Sequence, residues 1–194
     1  VAGCTIRDIG KNGVVIKGGM AHRVQSCDLH TLGHGGILLG GGDRAQLTPA
    51  GHVADNNHIH HYALAKKIWT PGIGVGANDA GYACGCTVTH NLIHDAPHAA
   101  VLYGGNDNIF EWNEVHDFLN ESDDLGGFYS NNNWTSQGNI VRHNFVHHTG
   151  HALGVYLDDA DSGDTVEGNV FFRMGTGAAI GGGHDNILRN NIAI

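Results

Sequence analysis

NLIHDAPHAAVLYGG at 91–105, NEVHDFLNESDDLGGFYSNNNW at 113–134 and NFVHHTGHALGVYLDD at 144–159 are three versions of one phrase. Each opens on Asn, places an apolar residue two positions on and His at the third, and passes through a variable loop. Each then ends in a short apolar strand. The phrase extends in both directions. With Asn91 as the anchor, the equivalent residues are Cys4, Cys27, Asn57, Asn91, Asn113, Asn144, Asn169 and Asn191, spaced by 22 to 34 residues. Two residues after the anchor stand Ile6, Leu29, Ile59, Ile93, Val115, Val146, Phe171 and Ala193. Three before it stand Val1, Val24, Ala54, Val88, Phe110, Val141, Val166 and Leu188. Five before it, the later units carry Asn108, Asn139, Asp164 and Asn186. A second strand recurs as GVVI at 13–16, GILL at 36–39, GIGV at 72–75, AVLY at 100–103, GFYS at 127–130, GVYL at 154–157 and AAIG at 178–181.

The strands are short and alternate, and no helical spacing is present. A unit of 22 residues cannot bury its own apolar face, so neighbours must stack. The predicted fold is all-β: one right-handed, single-stranded parallel β-helix over 1–194, pectate-lyase-like, with about eight coils. Like residues then lie above one another at about 4.8 Å, with Val, Ile and Leu turned inward. A leucine-rich repeat lacks its consensus here, and a four-stranded propeller blade does not fit the unit. The pattern starts and stops mid-phrase, so the chain is expected to be part of a longer protein.

Composition agrees with this fold. There are 31 glycines, 3 prolines and 41% hydrophobic residues. Gly and Asn tolerate the left-handed backbone that tight turns need. The net charge of −9, with no basic run, argues against nucleic acid and against steering of a polyanion. No apolar run approaches a membrane span. The four cysteines show neither metal spacing nor a disulfide framework. A monomer is expected, extracellular or periplasmic, although no signal peptide lies in this segment.

The columns give structural roles to several conspicuous residues. The Asn anchors are expected to stack inside a turn, amide on amide. His30, His60, His94, His116 and His147 form one column and read as a ladder beside a turn, not as metal ligands. GGG at 40–42 and 181–183 opens no helix and has no phosphate-loop Lys, so both are turns. No cofactor and no metal site is expected.

Two neighbouring units break the pattern. The outward position of the second strands reads Val15, Leu38, Gly74, Leu102, Tyr129, Tyr156 and Ala179. The position after the strand reads Lys17, Gly40, Gly76, Gly104, Asn131, Asp158 and Gly182. Asp124 precedes one strand, while Asp158 and Asp159 follow the next. Trp134 lies in the NNNW loop, and His98 and His151 flank the entrance. Two carboxylates with aromatic platforms between them are what a glycosidase needs: an acid, a base or nucleophile, and flat surfaces for sugar rings. Solvated turn aspartates are the ordinary alternative. A calcium site at Asp158, Asp159, Asp161 and Asp164 is another.

The run HDAPHAAVLYGGNDNIFEWNEVHD, with ESDDLGGFYS, NNWTSQGNIVRHNFVHH and GVYLDDADSGDTVEGNVFFRMG, resembles the right-handed parallel β-helix proteins of glycoside hydrolase family 141. The resemblance covers 55–194 and is most specific in DLGGFY and YLDD. It implies hydrolysis of plant cell-wall polysaccharide, with α-L-fucosidase and xylanase activities in the family. It also implies catalysis by two aspartates, Asp124 and one of the YLDD pair. Asp158 is favoured because alternation from Tyr156 turns it outward, and Asp159 is the fallback. Leu125 and Asn132–Asn133 depart from the family pattern. Substrate contacts are expected from His98, Tyr129, Asn131, Trp134, His151 and Tyr156. The alternatives are a polysaccharide lyase or uronan epimerase on the same fold, with His98 or His151 and a tyrosine as base and acid, or a non-catalytic carbohydrate-binding β-helix.

Overall fold

The computed structural model describes residues 1–130 and 132–194. The chain winds through parallel strands of mostly three to five residues, and Asn78–Ala80 is one helical turn. Two sheets carry all twenty strands found among the described residues. The seven-stranded sheet stacks the segments three residues before the anchor, pairing Val24 with Ala54 and, further along, Phe110 with Val141. The thirteen-stranded sheet holds both the anchor strands and the second strands. Its two halves join because Phe145–Leu157 and Val170–Ile180 run unbroken from one to the other. The registers predicted within the strands are present from Cys27 onward, including Leu38–Gly74, Leu102–Tyr129 and Tyr129–Tyr156, whereas past the strand exit Gly181, not Gly182, lies over Asp158 because Tyr156 pairs with Ala179. The inward columns form one core, with Leu29, Ile59, Ile93, Val115 and Val146 at its centre.

The corners explain the composition. The residue before each anchor has a left-handed backbone: Ser26, Asn56, His90, Trp112, His143 and Asn190 at φ 52–57°, with Gly3 and Gly168 at 60° and 65°. A second left-handed column sits six before the anchor, through Ala21, Gly51, Gly85, Asp107, Gly138, Gly163 and Asp185. A third sits four after it, through Asp8, Thr31, His61, Asp95, Asp117, His148 and Arg173. Gly, Asn, Asp and His tolerate this region best, and they are the residues in excess.

The amide ladder is continuous. Asn113 Oδ1 accepts from the Asn91 backbone N–H at 3.0 Å and from Asn91 Nδ2 at 2.9 Å, and Asn144 repeats this for Asn113. Cys27 joins through its backbone N–H to Asn57. Cys27 is buried, Cys4 is exposed, and all four cysteines are free thiols. A second ladder follows the second corner: Asn108 to Asn139, Asn139 to Asp164, and Asp164 to Asn186. The stack therefore satisfies its turn amides from coil to coil, as buried polar groups require.

Candidate functional site

The cleft lies on the sheet half that carries Gly126–Ser130. Tyr129 and Tyr156 are register partners, and their rings meet edge to face at 5.6 Å. The Tyr129 hydroxyl donates to Asp158 Oδ2 at 2.9 Å. The Asp158 backbone N–H donates to the Ser130 carbonyl, which fixes the residue at the strand exit. Its Oδ1 accepts from the Asp159 N–H at 2.9 Å. On the next coil, a Cβ at Gly181 would stand 2.5 Å from Asp158 Oδ1 and 3.2 Å from Tyr156 Cε2, so glycine there keeps the carboxylate uncovered. Asp159 is exposed and serves the backbone, its carbonyl accepting from Asn132. Of the YLDD pair, Asp158 is the one held against the tyrosines.

Asp124 occupies the opposite end of the strand, exposed in a left-handed turn at φ 61°, its N–H on Asp123 Oδ1 at 2.8 Å. Tyr156 relates the two ends. Its phenol is pushed up to about 12, first by the interaction of its hydroxyl with the Asp158 carboxylate and then by burial. The charges of Asp158, Asp124 and Asp159 act in the same direction. Three carboxylates therefore act on one hydroxyl.

Trp69 is the residue that the repeat did not reveal. It lies in the loop inserted after His60, whose N–H groups at Ala63, Leu64, Ala65 and Lys66 donate to carbonyls of 32–34. The same loop reaches forward through the ion pair of Lys67 with Glu121. The Trp69 ring lies 5.7 Å from Tyr129 and 5.3 Å from His98. Its backbone N–H donates to His98 Nδ1 at 3.3 Å. Burial lowers the His98 pKa, which keeps that nitrogen an acceptor. Tyr129, expected as an open platform, is consequently 4% exposed, because the inserted loop covers it. A lone Trp in the longest unit was the available signal.

Other expected contacts are dispersed. His151 is exposed, with Nε2 3.1 Å from the Leu119 carbonyl oxygen. Trp134 is exposed and stands edge-on to His184 at 6.1 Å, past the exit. Asn131 lies outside the described residues. Beside Tyr129 a cavity of about 230 Å³ is lined by Trp69, Tyr82, Leu102, Tyr103 and Asn133, with no Lys or Arg among its described lining residues and Arg44 stacked on Tyr82 at 5.0 Å.

The four loop aspartates do not form a calcium cluster. Asp161 and Asp164 turn inward and are each 1% exposed. Asp161 interacts with the Ser130 hydroxyl and Asp164 with the Tyr103 hydroxyl, in both cases outside ordinary hydrogen-bond geometry. Burial raises both carboxyl pKa values, and the charge of Asp161 raises Asp164 further.

The Azotobacter vinelandii mannuronan C-5 epimerase AlgE6 A-module superposes with a TM-score of 0.70 at 14% identity, over 100% of this chain and 54% of that one. A glycoside hydrolase matches with a TM-score of 0.63 at 17% identity, over 97% of this chain and 34% of that one. The A. vinelandii AlgE4 A-module matches with a TM-score of 0.56 at 12% identity, over 98% and 57%. The chain thus spans between a third and somewhat over half of these structures, which share its fold with carbohydrate-active enzymes. No curated protein matches the sequence. The family model described as "Right handed beta helix region" matches residues 71–194, and with the coils laid out above, the chain belongs to that family.

Proposed function

We propose that this cleft hydrolyses a glycosidic bond in plant cell-wall polysaccharide, with Asp124 and Asp158 as the two working carboxyl groups, as in glycoside hydrolase family 141. The observation that carries the reading is the Asp158 carboxylate held by the Tyr129 hydroxyl at 2.9 Å beside Tyr156, with Asp124 beyond the other end of the same strand. Trp69 and Tyr156 supply the aromatic surface against which sugar rings pack, with Tyr129 buried behind them.

One carboxyl protonates the leaving oxygen and the other works from the opposite face of the sugar. Asp124 and Asp158 sit beyond opposite ends of the five-residue strand Gly126–Ser130. At about 3.3 Å per residue, such a strand spans roughly 13 Å, so the two carboxyl groups reach a bound sugar from opposite ends of the strand. We assign Asp158 as the base or nucleophile and Asp124 as the acid. Asp158 suits this role because Tyr129 holds one of its oxygens at 2.9 Å, fixing its direction.

A lyase or epimerase must neutralise the uronate carboxylate with cations. Here the site carries the Asp158 carboxylate, and no Lys or Arg is among the described residues that line the adjoining cavity. A phenol pushed up to about 12 is also a poor proton abstractor at neutral pH. The deciding experiment is a panel of plant cell-wall oligosaccharides assayed for new reducing ends and for the ultraviolet absorbance of an unsaturated uronate. New reducing ends without that absorbance support hydrolysis. Unsaturated product would replace the proposal with elimination.

A further inference from the structure

The histidine column, set down to scaffolding on sequence grounds, has a geometry that a surface ladder does not need. The rings of His30, His60, His94, His116 and His147 stack at 5.0, 5.2, 4.6 and 4.8 Å. In every one, Nδ1 faces the left-handed corner residue that follows it. Thr31 Oγ1 lies at 3.0 Å, His61 Nδ1 at 2.7 Å, Asp95 Oδ2 at 2.7 Å, Asp117 Oδ2 at 2.7 Å and His148 Nδ1 at 2.6 Å. The Nε2 atoms are thereby turned to other partners, that of His94 to His58 Nε2 at 2.7 Å, which leaves His58 Nδ1 facing Asp28. An imidazole tethered through one nitrogen by a carboxylate or similar group, with the other nitrogen presented, is the arrangement that orients metal ligands.

Two positions earlier on each strand, and hence on the same face, runs a parallel column: Asp28, His58, Leu92, Glu114 and Phe145. It offers donors at two places and apolar residues elsewhere. At the first, Asp28 Oδ1 stands 3.5 Å from His58 Nδ1 and 3.4 Å from His60 Nε2. That oxygen is buried and makes no hydrogen bond among the described residues. Zn–N and Zn–O bonds of about 2.0–2.1 Å in a tetrahedron place ligand atoms roughly 3.3 Å apart. The separations match that edge. At the second, Glu114 Oε1 stands 3.1 Å from His147 Nε2, with His116 beside them. In each trio the ligand atoms lie within 4.8 Å of one another.

We propose that these are two divalent transition-metal sites, Asp28–His58–His60 and Glu114–His116–His147, that take Zn²⁺ and staple adjacent coils together. Two imidazoles and one carboxylate form a borderline donor set that suits Zn²⁺ over Ca²⁺ or Mg²⁺. Each set draws ligands from two neighbouring coils, and the sets are centred about three coil rises, roughly 14 Å, apart. They lie on the anchor half of the sheet, away from the Tyr129–Tyr156 cleft on the other half.

The test uses tag-free protein, metal-stripped and titrated with Zn²⁺ by calorimetry and with Co²⁺ by visible absorption. Two equivalents are expected, with the intense absorption of tetrahedral Co²⁺. Asp28→Asn and Glu114→Gln keep side-chain shape and leave the ring stack untouched. Each should weaken one site at least ten-fold and lower the stoichiometry to one, and the double variant should bind none. His22→Gln, outside both sets, should retain two. Unchanged Zn²⁺ binding in the double variant, or only the weak octahedral Co²⁺ spectrum in the parent, would overturn the proposal.

Discussion

Asp164 stands where the second ladder elsewhere carries Asn, and it does an amide's work: its Oδ1 accepts from Asn139 N–H and Nδ2, both at 3.0 Å. Its backbone N–H donates in turn to Asn186. Burial, and then the charge of Asp161, raise its pKa above the ordinary value of 3.8. A carboxyl with a raised folded pKa holds its proton more tightly in the native state than in the unfolded chain. Its stabilising contribution is complete below the unfolded value and is lost as pH rises through the folded one. Asp164→Asn keeps the acceptor and supplies a permanent N–H. Urea denaturation at acid and at mildly alkaline pH should therefore show a gain confined to the alkaline arm, about 1–3 kcal/mol. A gain equal at both pH values would mean that ionisation at this position costs the fold nothing. Tyr129→Phe is the corresponding change in the cleft. It removes the hydroxyl that donates to Asp158 while leaving the ring against Trp69, and should lower kcat several-fold with little change in KM.

At the scale of the element, stability is concentrated at the corners. Asn113 is 2% exposed, accepts both donors of Asn91, and donates to Val88, Glu111 and Asn144. Asn113→Ala strands several of these buried groups at once, each worth about 1–3 kcal/mol when left unpaired. Chemical denaturation should record a loss of about 3–5 kcal/mol after partial relaxation. A loss below about 1 kcal/mol would mean that the ladder is ornamental. This part of the structure was legible because stacking forces repetition. A turn that must satisfy its neighbour's amide uses the same residue in every coil, and a column of Asn or of inward Val survives insertions of any length. The loop carrying Trp69 was not legible for the converse reason. It occurs in one coil, aligns with nothing, and takes its position from bonds to coils before and after it. The burial of Tyr129 followed from that loop, so it could not be read either. Asp161 and Asp164 share a run with Asp158 and Asp159 in the sequence. Only the turn geometry separates two interior carboxyls from two at the cleft.

For the whole molecule, the solenoid makes two outer faces of different chemistry from one repeat. On one half of the sheet the imidazole column is nearly uniform. On the other, small residues give way to tyrosines over two coils, and carboxylates arrive from both strand ends. Trp69 closes the side of this cleft against Tyr129 and His98. Trp69→Ala should raise KM for oligosaccharides about ten-fold with a smaller effect on kcat, a pattern expected when a stacking surface is lost and the reacting groups remain. The claim on which the function rests is the pairing of Asp124 with Asp158 across Tyr156. It is tested most directly by comparing reducing-end release by the parent with that of Asp124→Asn and Asp158→Asn, each checked for an intact fold by circular dichroism. Each substitution should lower kcat about 10²–10⁴-fold. Retention of parental turnover by either variant would contradict the pairing.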